Sequence, residues 1–147
     1  RPPTDAVKAL LSSLYGLVRS MVHGACEQVG LAPYVGFLHG IRPGKPALAL
    51  DMMEEFRPVI ADRLTLTLIN RRQIVPSHFE TLKGGAVQLT EEGRKTILTQ
   101  WQQHRQKEYQ HRVLGRRVPV ALLPSVQARL MARHLRDDLP GYLPWTV

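Results

Sequence analysis

Leu10, Leu14, Leu17, Val18, Met21 and Val22 recur every three to four residues between Asp5 and Gly30, and no other pattern restricts the fold of this chain as strongly. Side chains at that spacing share one face of an α-helix, so the segment must bury an apolar stripe against a partner element. Asp5, after Pro2 and Pro3, supplies an N-cap, and Gly30 ends the helix. A second helical pattern runs from about Ala47 to Arg71, with Leu48, Met52, Phe56, Val59, Ile60, Leu64 and Leu68 as core candidates. Pro58 is expected to kink or split it. Between Gly30 and Pro46, three prolines and four glycines forbid a long helix and predict a loop.

The second half is weaker in apolar residues. Gly84, Gly85 and the run Val87-Gln88-Leu89 predict a small hairpin, after which Thr90 caps a polar helix reaching about Tyr109. On that helix Trp101 and Tyr109, eight apart, read as packing residues, and His104 and His111 as solvated ones. Gly115 and the stretch from Val118 to Leu123 precede a last helix of roughly 124–139 and a proline-rich tail. The expected fold class is all-α, a single helical domain over 1–147, with at most a minor β hairpin near 79–89. Its 147 residues, 44% hydrophobic, suffice for one core.

Twenty lysines and arginines against twelve acids leave a net charge of +8. The excess is C-terminal: ten cations lie between Arg94 and Arg136 with Glu108 as the only acid. Such a balance points to a polyanionic partner, DNA or RNA. The single cysteine, Cys26, rules out a disulfide framework and suits a reducing, cytoplasmic setting. No apolar run approaches the roughly 20 residues that span a bilayer, so no membrane role is expected. Arg1 is not a natural start, and the chain reads as the C-terminal piece of a longer protein.

The candidate chemistry lies between Gly36 and Pro58. His39 sits in a glycine-flanked turn, and Asp51, Glu54 and Glu55 follow at the three- and four-residue spacing that places helical side chains on one face. Either glutamate can pair with Asp51. Leu50, Met52, Met53 and Phe56 interrupt the acids, so this is not an ordinary solvated surface. Imidazole with carboxylates suits Mn²⁺ or Mg²⁺ better than a structural zinc, for which the chain has no cysteine pair. Gly40, Gly44 and Lys45 lack the spacing of a nucleotide-binding phosphate loop.

These residues closely resemble the C-terminal helical domain of the CRISPR-associated integrases of spacer acquisition, the Cas-one family. The matching blocks, in order, are Asp5 to Tyr15 with Ala9-Leu10-Leu11-Ser12, Gly36-Phe37-Leu38-His39, Arg42-Pro43-Gly44-Lys45-Pro46, and Leu48 to Pro58. They continue through Ile60 to Arg63, Leu68 to Arg71, Gly84-Gly85, Gly93-Arg94-Lys95, Gln127 to Arg133 and Tyr142-Leu143-Pro144. The resemblance implies a metal-dependent DNA endonuclease and integrase that inserts foreign DNA spacers into a CRISPR array by transesterification. It makes His39 and Glu54 metal ligands supported by Asp51, choosing Glu54 over Glu55, with Mn²⁺ or Mg²⁺ as the ion. Arg57, Arg63, Arg71 and Arg72 are candidate DNA anchors. It implies a homodimer, a small partner protein, Cas-two, and DNA as substrate. A further glutamate ligand and a β domain are expected upstream, outside this chain. Lys8 stands where the family usually carries asparagine. The competing class is a non-catalytic basic helical module that binds DNA or assists assembly.

Overall fold

A computed structural model describes residues 3–30, 52, 54–135 and 141–146. The first helix, α1, covers Ala6–Val29 and begins where the Asp5 carboxylate accepts a 2.8 Å hydrogen bond from the Lys8 N–H. It ends at Gly30, whose φ of 88° lies in the left-handed region that glycine adopts without steric cost. Leu10, Leu14, Val18, Val22 and Cys26, four residues apart throughout, form its buried stripe, while Leu17 and Met21 are only partly covered. The predicted loop between Gly30 and Pro46 lies outside the described residues.

The second helical segment is continuous from 54 to 70, but not uniform. Residues 54–56 are α-helical, Arg57–Asp62 form a π-helix, and α2 covers Arg63–Asn70. Pro58 accounts for the change. It has no N–H to donate, and its ring would collide with the carbonyl four residues back in an ordinary α-turn. The chain widens instead of breaking: the Arg63 N–H bonds the Pro58 carbonyl five residues earlier. The expected kink is thus a change of helical pitch. Phe56, Ile60, Ala61 and Leu68 are almost wholly buried against α1.

Two hairpins follow. Strands β1 (Phe79–Thr81) and β2 (Val87–Leu89) pair antiparallel with Phe79 opposite Leu89, the predicted hairpin, turning at Gly85 with φ of 91°. Thr90 caps α3, Glu91–His104, by accepting the Gly93 N–H at 3.0 Å. Gly93 has no room for a side chain, because a Cβ would strike the His78 carbonyl oxygen, so α3 is seated directly on the preceding turn.

Here the structure corrects the reading of the sequence. The helix stops at His104, and β3 (Glu108–His111) pairs with β4 (Arg116–Pro119), Tyr109 facing Val118, to make a second hairpin. Gly93, Ile97 and Trp101 bury the helix at four-residue intervals, but the next position in that series is Arg105, which cannot continue the stripe. From Glu108 the covered positions alternate, Tyr109 and His111 inward, at the period of a strand. Tyr109 therefore does not share a helical face with Trp101, and His111 is 2% exposed rather than solvated. His104 is also partly covered, and burial, with help from nearby Lys107, lowers its pKa to about 4.

The last helix, α4, covers Leu123–Leu135 and packs along α1, with Leu123, Gln127, Ala128 and Met131 facing inward. Residues 141–146 return across the 54–56 turn, where the Trp145 ring stacks on Phe56 with centroids 5.6 Å apart. The described residues are mostly helical, with two small antiparallel hairpins. Among the described residues no helix is long and apolar enough to cross a membrane.

Candidate functional site

The 54–56 turn presents its two glutamates to different surroundings. Glu54 points into solvent, its side chain 61% exposed, and its one ion pair among the described residues is a long contact of 3.5 Å to Arg57 Nη1. Glu55 is partly buried and committed. Its Oε1 accepts from Gln127 Nε2 at 2.9 Å and from the Trp145 N–H at 2.9 Å, and its Oε2 accepts from the Tyr142 hydroxyl at 2.6 Å. A carboxylate so occupied serves the fold, whereas Glu54 has oxygens to offer a ligand. His39 and Asp51 lie outside the described residues, and among the described residues no three His, Cys, Asp or Glu side chains converge.

Gln127 is the hub of this region. It is fully buried, and its amide nitrogen lies within reach of Glu55, the Tyr142 oxygen at 2.8 Å and the Leu143 carbonyl at 3.2 Å. Its carbonyl accepts at 2.6 Å from His111 Nε2, and His111 Nδ1 accepts the Leu114 N–H at 3.2 Å. With Nδ1 accepting from the backbone, Nε2 is the ring nitrogen that donates. Burial raises the pKa of Tyr142, with the hydrogen bond to Glu55 adding to the effect, so its hydroxyl keeps its proton and donates. The sequence reading missed Gln127 and Tyr142 as site-supporting residues. Their signal was a glutamine on the apolar face of a helix and a tyrosine in a proline-rich tail, two polar groups that burial obliges to find partners.

The four arginines do not form one cluster. Arg57 is held by its neighbours: Nε donates to the Tyr15 hydroxyl at 2.7 Å, the guanidinium lies 4.9 Å from the Tyr15 ring centroid, and Tyr15 donates to Asp62 at 2.9 Å. This chain ties α1 to the π-turn and keeps a cation beside Glu54. Desolvation, followed by the Asp62 hydrogen bond, raises the Tyr15 pKa. Arg63, the first residue of α2, and Arg71, its C-cap, instead line a cleft of about 360 Å³ with Lys107, Gln100, Gln103, His104 and Tyr109. Among the described residues no carboxylate lines this cleft, and neither arginine makes an ion pair. His104 Nε2 is buried there with no hydrogen-bond partner among the described residues. Arg72, exposed at the end of α2, has a φ of 56°, the one described non-glycine residue in the left-handed region. The second hairpin, which supplies Lys107 and Tyr109, was the part of the cleft that the sequence reading placed in a helix.

This helical order recurs in known proteins. The family described as CRISPR associated protein Cas1 matches residues 1–103. The chain is 55% identical over 145 residues to the CRISPR-associated endonuclease Cas1 2 of Rhodospirillum rubrum and 52% identical to the CRISPR-associated endonuclease Cas1 1 of Moorella thermoacetica. In each case the match covers 99% of this chain and 42% of the relative, so the chain spans less than half the length of those proteins. Among solved structures, the Cas1 protein TM1797 of Thermotoga maritima superposes with a TM-score of 0.77 at 29% identity, covering 99% of this chain and 43% of that one. With more than half its length matched by the family and nearly all of it by these relatives, the chain belongs to the Cas1 family.

Proposed function

We propose that this domain carries part of the active site of a metal-dependent DNA endonuclease and integrase that inserts foreign DNA spacers into a CRISPR array. One observation carries the reading: in a member of the Cas1 family, the glutamate turned to solvent is Glu54, while its neighbour is sequestered by three donors. The donor chemistry fits a divalent ion such as Mn²⁺ or Mg²⁺, since Glu54 offers hard carboxylate oxygens and the ligand set adds His39 and Asp51. Such an ion supplies Lewis acidity, activating a DNA 3′ hydroxyl and offsetting the charge that develops on the attacked phosphodiester.

The chain's own residues do the rest. Arg57, braced by Tyr15, holds a positive charge next to Glu54 where a phosphate would approach. Arg63, Arg71 and Lys107 track the backbone of bound DNA without reading its sequence, and Arg72 extends that surface. In the transesterification, the 3′ oxygen bonds to phosphorus as the existing ester bond breaks, and the proton of the attacking hydroxyl passes to solvent. The departing 3′ oxygen takes up a proton in turn. A further ligand from an upstream helix, a homodimeric assembly and the small partner Cas-two complete the proposal.

Strand transfer by the full-length protein onto a repeat-bearing plasmid tests it, with Mn²⁺ or EDTA present. Product from the wild type in Mn²⁺, and none from His39→Ala or Glu54→Ala with DNA binding retained, is expected. Retained product in either variant refutes that residue's assignment. Metal-independent DNA binding without product from any form would instead favour the non-catalytic basic module, which the acid-free cleft by itself would serve equally well.

A further inference from the structure

Glu54 has no short hydrogen bond of its own among the described residues, yet the two residues that follow it are both gripped by the same part of the C-terminal segment. The Trp145 N–H bonds Glu55 at 2.9 Å, and the Trp145 indole stacks on Phe56 at 5.6 Å with the rings 24° apart. Tyr142 and Gln127 complete the hold on Glu55 from the tail and from α4. Phe56 and Gln127 are fully buried, so this grip is made inside the protein and not on its surface. The tail also shares a cleft with the acid it steadies: Met52, Glu54, Pro58, Met131, Pro144 and Trp145 line the same hollow.

We infer that Glu55 is a positioning residue, through which Gln127 and the 142–145 segment fix the rotation of the 54–56 turn and so the direction of the Glu54 carboxylate. The inference rests on the reading of Glu54 as a metal ligand. Adjacent helical residues lie about 100° apart, so pinning Glu55 inward and Phe56 against Trp145 leaves Glu54 a single outward direction. Outer groups that orient a ligand commonly change metal affinity without touching the metal. The functional segment therefore extends to Tyr142 and Trp145, far along the chain from the acids.

Calorimetric titration of the full-length protein with Mn²⁺, beside thermal unfolding of the same samples, tests this. Glu55→Ala is expected to weaken Mn²⁺ binding about tenfold. Tyr142→Phe, which removes one hydroxyl and keeps the ring, should weaken it by a smaller factor, about threefold, and remains informative if Glu55→Ala does not fold. In both, strand transfer should recover as Mn²⁺ is raised. Glu54→Ala should lose the site, with no recovery. If Glu54→Ala loses Mn²⁺ while folded Glu55→Ala or Tyr142→Phe binds it with wild-type affinity and only melts earlier, the positioning inference is wrong and the metal assignment stands. If Glu54→Ala binds Mn²⁺ like the wild type, the metal assignment fails and the inference with it.

Discussion

The two ends of the 54–70 helical segment are built on opposite terms. Around Glu55 one carboxylate, one amide, one imidazole and one phenol share hydrogen bonds of 2.6 to 3.2 Å, and the Trp145 indole nitrogen beside them is buried without a partner among the described residues. Around Arg63 and Arg71 the cations face a cleft that no acid lines among the described residues. The first arrangement fixes geometry, because in a low-dielectric interior a misplaced polar group is costly. The second stores unbalanced charge that a polyanion can neutralise. The proposed metal-dependent enzyme acting on DNA would need both, a carboxylate held in one direction and a surface tolerant of sequence, and Arg63 and Arg71 lie about two and four helical turns beyond Glu55. The π-turn at Pro58 lies between, close to Glu54.

If this contrast is right, substitutions at the two ends should fail differently. The largest effect belongs to the closed end. Gln127→Leu leaves Glu55 and His111 buried without their shared partner and should cost about 3 kcal/mol in denaturant unfolding, a loss that added salt does not change. A cost under about 1 kcal/mol would show that water replaces the amide and that the network is looser than its distances imply.

Acid sensitivity comes next. The unfolded His104 takes a proton near pH 6.5, whereas the folded one resists until about pH 4. Between those values the unfolded state binds more protons, so stability is intact above pH 6.5 and declines as the pH falls towards 4. His104→Gln should flatten that part of the pH–stability curve, as read by urea unfolding at a series of pH values. An unchanged slope would move the burden to other groups.

At the open end, Arg63→Ala, Arg71→Ala and Lys107→Ala should leave folding nearly unaltered. Each should lower the slope of log DNA affinity against log salt by about 1, uniformly across sequences. Unequal losses on different DNA sequences would mean that the cleft reads bases. The smallest effect expected is at Arg72, whose left-handed backbone favours glycine. Arg72→Gly should raise stability by about 0.5 to 1 kcal/mol in thermal unfolding.

The same contrast explains what the sequence made legible. The stripe from Leu10 to Cys26 announces α1, Asp5 and Gly30 mark its ends, and Thr90 marks the start of α3, because capping and apolar periodicity act within a few residues. The motif from Leu48 to Pro58 marked the acids. It did not tell Glu54 from Glu55 by spacing, since the partners that distinguish them, Gln127, Tyr142 and Trp145, are between 72 and 90 residues away. The second hairpin escaped for a related reason: its alternation spans only Glu108–His111, and the buried place of His111 is defined by Gln127 on α4. Charge counts located the basic half but not its cleft, which pairs Arg63 and Arg71 from the middle of the chain with Lys107 from beyond α3.

The most direct test of the central claim compares the same chemical change at neighbouring positions. Cleavage of branched DNA by the full-length protein would be followed as Mn²⁺ is raised, for Glu54→Gln and for Glu55→Gln. The account predicts no cleavage by Glu54→Gln at any metal concentration, and recovery of most of the wild-type rate by Glu55→Gln at high metal, since its ligand is intact but less firmly held. Wild-type cleavage by Glu54→Gln, with activity lost irrecoverably in Glu55→Gln, would contradict it and make the buried glutamate the ligand.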